Sequence, residues 1–264
     1  MAELKRIRIR RKRASFPAFV LAFLVFSIVF FLSTAGVKKE KAVHKTASPV
    51  RQATKEIALE DLEFYLVALT DGDRIENTRI SSARYMLRGA AGYLFEKDGK
   101  WYSIGNVYFS REEAERMTAH LLDNGIEASV LPIAQKGATL RVTAEEETLD
   151  ALSFCLSAFS AFEKSLADYS LRLDAGELSE REARVLLSVL GYDLSGGKAE
   201  AKRAIAASGD NAVYDIFRAY LHLLDDLSSL TKNEGGEMML SARIKYVLID
   251  NEMIRMNHLR KIHA

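Results

Sequence analysis

Hydrophobic and polar positions divide this chain into four stretches of different character. Ala14 to Val37 carries no charge, and its apolar heart runs from Phe16 to Leu32. About 20 apolar residues carry a helix across a bilayer, so the run predicts a transmembrane helix over 14–37. Residues 38–60 are polar and without apolar periodicity, which predicts a linker. From 61 to 135, short β-prone runs alternate with helical spacing. From 143 to 263 the apolar positions recur every three or four residues, as in helices that bury one face.

In the third stretch, Phe64–Leu69 is β-prone and ends at Asp71-Gly72, a turn signal. Asn77 or Thr78 is placed to cap a helix with Ile80, Ala83, Met86, Leu87 and Ala90 along one side. Tyr93–Lys97 and Lys100–Ile104 flank Asp98-Gly99, a hairpin signature, because such turns need positive φ at both central positions. Ser110-Arg111-Glu112-Glu113 reads as a capping box for a helix that stops at Asn124-Gly125. Glu127–Ile133 is the last strand, and Pro132 suits a sheet edge. The order β-α-β-β-α-β predicts an α+β fold of ferredoxin-like topology, with both helices on one face of an antiparallel sheet and the other face open.

The fourth stretch predicts five helices with short, glycine-bearing links, hence an antiparallel bundle. Thr143-Ala144-Glu145-Glu146 reads as the capping box of the first helix, and Leu178-Ser179-Glu180-Arg181-Glu182 as the staple and box of the second. Later helices start near Lys198, Ser208-Gly209-Asp210 and Glu237. The expected organisation is a tail 1–13, a membrane helix 14–37, a linker 38–60, an α/β domain 61–135 and a helical bundle 143–263.

Charge sets the orientation. Seven Lys or Arg residues against Glu3 precede the apolar run. The positive-inside rule then places the N-terminus in the cytoplasm and the remaining domains outside it. A cleaved signal peptide is the rival reading, with Ser33-Thr34-Ala35 as the small residues, but its apolar region is usually only about 7–15 residues long. The whole chain is +1, so a basic excess of six before residue 38 leaves the rest acidic by five. That argues against a nucleic-acid-binding body. The single cysteine, Cys155, excludes an intrachain disulfide and lies among apolar neighbours.

No catalytic or metal-binding constellation stands out. The five histidines form no His-Glu-x-x-His, and one cysteine cannot build a cysteine cage. His222 and Asp225 sit one turn apart, as many exposed pairs do. No glycine-rich phosphate loop or Gly-x-Ser-x-Gly elbow occurs. The expectation is a non-enzyme with no cofactor and no metal.

The segment from Trp101 to Ala114, with Ser110-Arg111-Glu112-Glu113-Ala114 opening the second helix, resembles the second half of a SPOR (sporulation-related repeat) domain. Leu121, Gly125, Ile126, Ala128 and Val130 continue the resemblance. The family's first-strand glutamine has no counterpart in Tyr65–Ala68. The resemblance implies binding to peptidoglycan glycan strands, from a single-pass membrane anchor, in cell division or sporulation. On a sugar-binding sheet, aromatic faces and hydroxyls do the work, which makes Tyr65, Tyr93, Trp101 and Ser103 the candidate glycan contacts. The competing role for the same aromatics is packing beneath the helices. A second expectation is a non-catalytic membrane scaffold whose bundle binds a protein partner.

Overall fold

Asp98 and Gly99 take φ of 53° and 75°, so β3 (Tyr93–Lys97) turns straight back into β4 (Lys100–Tyr108). This is the hairpin the Asp-Gly pair predicts. β4 pairs antiparallel with β2 (Leu62–Gly72), and β2 pairs antiparallel with β5 (Ser129–Gln135), giving the order β3-β4-β2-β5. Helices α1 (Ile75–Met86) and α2 (Arg111–Asp123) follow β2 and β4. The computed structural model describes residues 52–207, 211–232 and 238–263. The tail 1–13 and the membrane helix 14–37 lie outside them. No helix among the described residues is long and apolar enough to cross a membrane.

Several expectations are corrected. The predicted linker does not extend to residue 60: Gln52–Leu59 is a strand, β1, paired antiparallel along its length with β6 (Ala138–Glu145). This two-stranded ribbon brackets the four-stranded sheet in sequence, and Thr54 and Thr143 hydroxyls meet across it at 2.8 Å. Thr143 therefore belongs to a strand and caps nothing. The helix after it, α3 (Glu146–Asp174), starts without a side-chain cap, as does α2 at Ser110. On α1 the predicted apolar side is not the buried one. Thr78 and Ser82 are buried, while Ile80 is 59% exposed. Ser82 donates a 2.6 Å hydrogen bond to the Gly92 carbonyl, and a Cβ on Gly92 would lie 2.2 Å from Met86 Cγ. The helix approaches the chain before β3 too closely for large side chains, so small hydroxyl residues with a backbone partner take the inner face.

Beyond α3 come α4 (Glu180–Asp193), a 3-10 turn at Leu194–Gly197, α5 (Lys198–Ala207), α6 (Ala212–Thr231) and α7 (Leu240–His263). Ser179 and Glu182 form the predicted reciprocal cap of α4. Asn211 caps α6, its side-chain oxygen Oδ1 accepting from the backbone N–H groups of Val213 and Tyr214. Wholly buried Tyr220 ties α6 to the 3-10 turn through its hydroxyl on the Leu194 carbonyl. The α/β part and the helices do not separate: Arg51–Ala264 forms one unit.

Gly137 sits where the β5–β6 turn crosses the β1–β2 connection. A Cβ there would lie 2.1 Å from the Leu59 carbonyl oxygen and 2.6 Å from Glu60 carbonyl carbon. Both are backbone atoms that cannot swing aside. Gly137→Ala is expected to destabilise the unit by about 2–3 kcal/mol, the upper part of the usual overpacking range. Urea denaturation of wild type and variant measures it, and a loss under about 0.5 kcal/mol would disprove the crossing.

Candidate functional site: the two faces of the sheet

Strand alternation gives the four-stranded sheet two distinct faces. One carries Tyr65, Val67, Leu69, Tyr108 and Val130, packed with Ala114, Met117 and Leu121 of α2 and Tyr85 of α1. The other carries Phe64, Leu66, Ala68, Ile104, Val107 and Ile133. The open reverse face expected from sequence is not there. Phe64, Leu66 and Ile104 are 0% exposed and share one core with residues of α3, α6 and α7.

The cover is chiefly α7, which touches β3, β4, β5 and β6. At 1.5 Å per residue its 24 residues reach about 36 Å, enough to cross the whole sheet. Polar contacts hold it along that length. Lys245 Nζ, buried, donates to the Gly89 carbonyl at 2.7 Å and pairs with Asp174 of α3 at 2.6 Å. Tyr93 of β3 donates its hydroxyl to Asp250 Oδ1 at 3.3 Å, and its ring lies 5.1 Å from that of Tyr246. At the far end, His263 Nε2 is 3.0 Å from the Lys136 carbonyl in the β5–β6 turn.

The four candidate glycan contacts are not brought onto one surface. Tyr93 is on the face covered by α7, and burial together with Asp250 raises its hydroxyl pKa. Tyr65 is on the opposite face, its hydroxyl donating to the Glu63 carboxylate. Ser103 and Trp101 alternate with Tyr102 and Ile104 and so fall on the α1–α2 side. Ser103 is wholly buried, and its hydroxyl has no hydrogen-bond partner among the described residues. Trp101 is part-exposed at the end of the sheet, and its carbonyl accepts from Thr78 Oγ1 at 3.5 Å. The β2–β4 register shifts between Val67 and Ala68 and again between Ala68 and Thr70, around Gly105. A Cβ on Gly105 would lie 2.8 Å from Leu69 Cδ1.

A second concave site lies where the end of β1 meets α3, α6 and α7. It is a cavity of about 270 Å³ lined by Leu59, Leu156, Phe159, Ser160, Arg255 and His258, among others. In its wall Arg255 Nη1 bonds Glu163 at 3.0 Å and Glu252 at 2.9 Å, and the guanidinium lies 5.8 Å from the Phe159 ring. Burial pushes the Glu252 carboxyl up to about 7, against the pull of Arg255. His258 is 10% exposed at its side chain, and burial lowers its pKa. The i, i+3 spacing of Glu252, Arg255 and His258 was the available signal. The cavity itself needs three other elements.

Cys155 is buried, and its thiol is pushed up to about 12 by that burial, which makes it a core residue rather than a nucleophile.

No family model and no curated protein matches the chain. Among solved structures, it is similar to the solution structure of the peptidoglycan-binding domain of the B. subtilis cell wall lytic enzyme CwlC. The TM-score is 0.24 and the identity 18%, over 27% of this chain and 91% of that chain. A likeness of that size leaves function to the geometry of this chain.

Proposed function

We propose that this chain is a non-catalytic scaffold of the cell envelope, tethered by its predicted N-terminal membrane helix, in which a SPOR-like module has become part of a protein-interaction body. The observation that carries this reading is the covered sheet. The face that would receive a glycan in the family it resembles is filled by the chain's own helix α7. Its hydrophobic surface is already removed from water, so a polysaccharide would have to displace a helix to reach it. The outer faces of the C-terminal helices are what the body offers instead. On α4, Val185, Val189 and Tyr192 stand exposed at i, i+4 and i+7, Tyr192 at 79%. That spacing is the anchor pattern of helix-in-groove recognition.

The experiment is co-sedimentation of the full chain, in detergent, with purified peptidoglycan sacculi, both native and stripped of stem peptides. The full chain is expected to stay in the supernatant with either preparation. Saturable pelleting with stripped sacculi would overturn the scaffold reading and favour wall binding.

Wall binding is the second reading. It rests on the Trp101–Ala114 motif together with the observed β-α-β-β-α-β order and antiparallel strand arrangement. It requires α7 to leave the sheet. Under it, glycan strands would increase hydrogen exchange across residues 240–263.

A further inference from the structure

One cluster lies apart from the cavity, on the seam between α6 and α7. His222 and Asp226 lie one turn apart on α6, and Asp250 reaches them from α7. Their ligand atoms all fall within 4.8 Å of one another. His222 Nε2 is 3.1 Å from Asp250 Oδ2 and 3.5 Å from Asp226 Oδ2. Sequence spacing drew attention to His222 with Asp225. The helix turn selects Asp226 instead, and Asp250 is 28 residues away from His222 in the chain.

We propose that His222, Asp226 and Asp250 form a binding site for Zn²⁺ on the seam between α6 and α7. Zinc bonds imidazole nitrogen and carboxylate oxygen at about 2.0–2.2 Å. At the tetrahedral angle, such bonds place donor atoms roughly 3.3–3.5 Å apart, close to the two separations seen here. Two carboxylates and one neutral imidazole balance a divalent cation. A single proton on Nε2, by contrast, can serve only one of the two carboxylates facing it.

The surroundings orient the donors as metal sites do. Asn251 Nδ2 donates to Asp226 Oδ2 at 2.8 Å, and the Tyr93 hydroxyl donates to Asp250 Oδ1, leaving Asp250 Oδ2 turned to the histidine. All three side chains keep some exposure, so an ion can enter, and the fourth position is left to water. Three protein ligands drawn from two helices also make the site a clasp. It would join α6 to the helix that covers the sheet, beside the Tyr93 contact.

The site stands or falls apart from the wall-binding question, because its test uses the metal alone. Metal-free full chain in detergent is titrated with Zn²⁺ by calorimetry, beside His222→Gln and Asp250→Asn, with circular dichroism confirming that each variant folds. The expected result is saturable 1:1 binding, weakened at least tenfold in both variants. Substitution with Co²⁺ should give the visible absorption of a tetrahedral site, lost in His222→Gln. Absence of saturable binding would overturn the proposal. So would binding that both variants retain at wild-type strength, which would place the metal at another histidine.

Discussion

Replacing Phe64 with alanine is expected to lower the stability of the Arg51–Ala264 unit by about 3–5 kcal/mol, in one cooperative transition that takes the helices with the sheet. Phe64 is 0% exposed on central strand β2, on the face that shares a core with α3, α6 and α7. Removing a buried phenyl ring loses its transfer free energy and leaves a cavity that close-packed neighbours fill only in part. If the sheet's reverse were open, the same substitution would remove a surface side chain and cost within about 0.5 kcal/mol. The measurement is urea denaturation followed by two probes, far-ultraviolet circular dichroism and the fluorescence of Trp101, the chain's single tryptophan, at the sheet end. Coincident transitions shifted together support the joined unit. A small shift, or a fluorescence transition separate from loss of helix, would show that the sheet folds apart from the helices.

The second large effect concerns Glu252. Its carboxyl is almost wholly buried on α7, faced by Arg255 of its own helix and Glu163 of α3. Burial, and then the Glu163 charge, raise it from 4.5 to about 7, while Arg255 acts the other way. Between those two values the unfolded chain has released the proton and the folded chain still holds it. The unfolded state then binds fewer protons, so stability falls as pH rises from about 4.5 to 7 and levels off above. The difference is worth on the order of 3 kcal/mol. Glu252→Gln keeps the shape and removes the titration, so its stability is expected to lack that decline. His258, whose pKa is lowered, runs the other way: its contribution is lost as pH falls through 6.5 and below. Asp226, raised like Glu252, adds to the decline. The informative quantity is therefore the difference between wild type and Glu252→Gln at pH 5 and pH 7.5, in which the other groups cancel. Parallel profiles for the two proteins would show that Glu252 ionises freely in the fold.

The elements most legible in the sequence are those that local chemistry specifies. Asp98-Gly99 makes the β3–β4 hairpin because the turn needs positive φ at two successive residues, and aspartate and glycine tolerate it. Gly125, at φ 74°, stops α2 for the same reason. Ser179 and Glu182 close the N-terminus of α4 with groups three residues apart. In each case the partners are near neighbours, and no distant residue competes for them. The same reasoning fails at Thr143, which reads as a cap until β1 arrives from 89 residues away and takes it into a ribbon. The polar pattern of β1 itself, Gln-Ala-Thr-Lys-Glu-Ile-Ala-Leu, gives little strand signal because only Ile57 is buried.

Sequence by itself determined the β-α-β-β-α-β order of the four-stranded sheet with its two helices, though not β1 or β6, and the apolar stripes of α3 and α6, because these rest on periodicity and on contacts a few residues apart. Tertiary structure alone decided what the sheet's second face is for. α7 buries residues on nearly every side, among them Lys245, Asn251 and Glu252. It is wedged between the sheet and other helices, and each of these buried polar groups has a partner. A periodicity reading sends lysine, asparagine and glutamate to solvent, since burying them unpaired is costly. Their partners, Gly89, Asp174, Asp226 and Arg255, lie mainly on other elements, and only the fold brings them within reach. The same holds for Asp250 beside His222 and for the residues that close the cavity around His258.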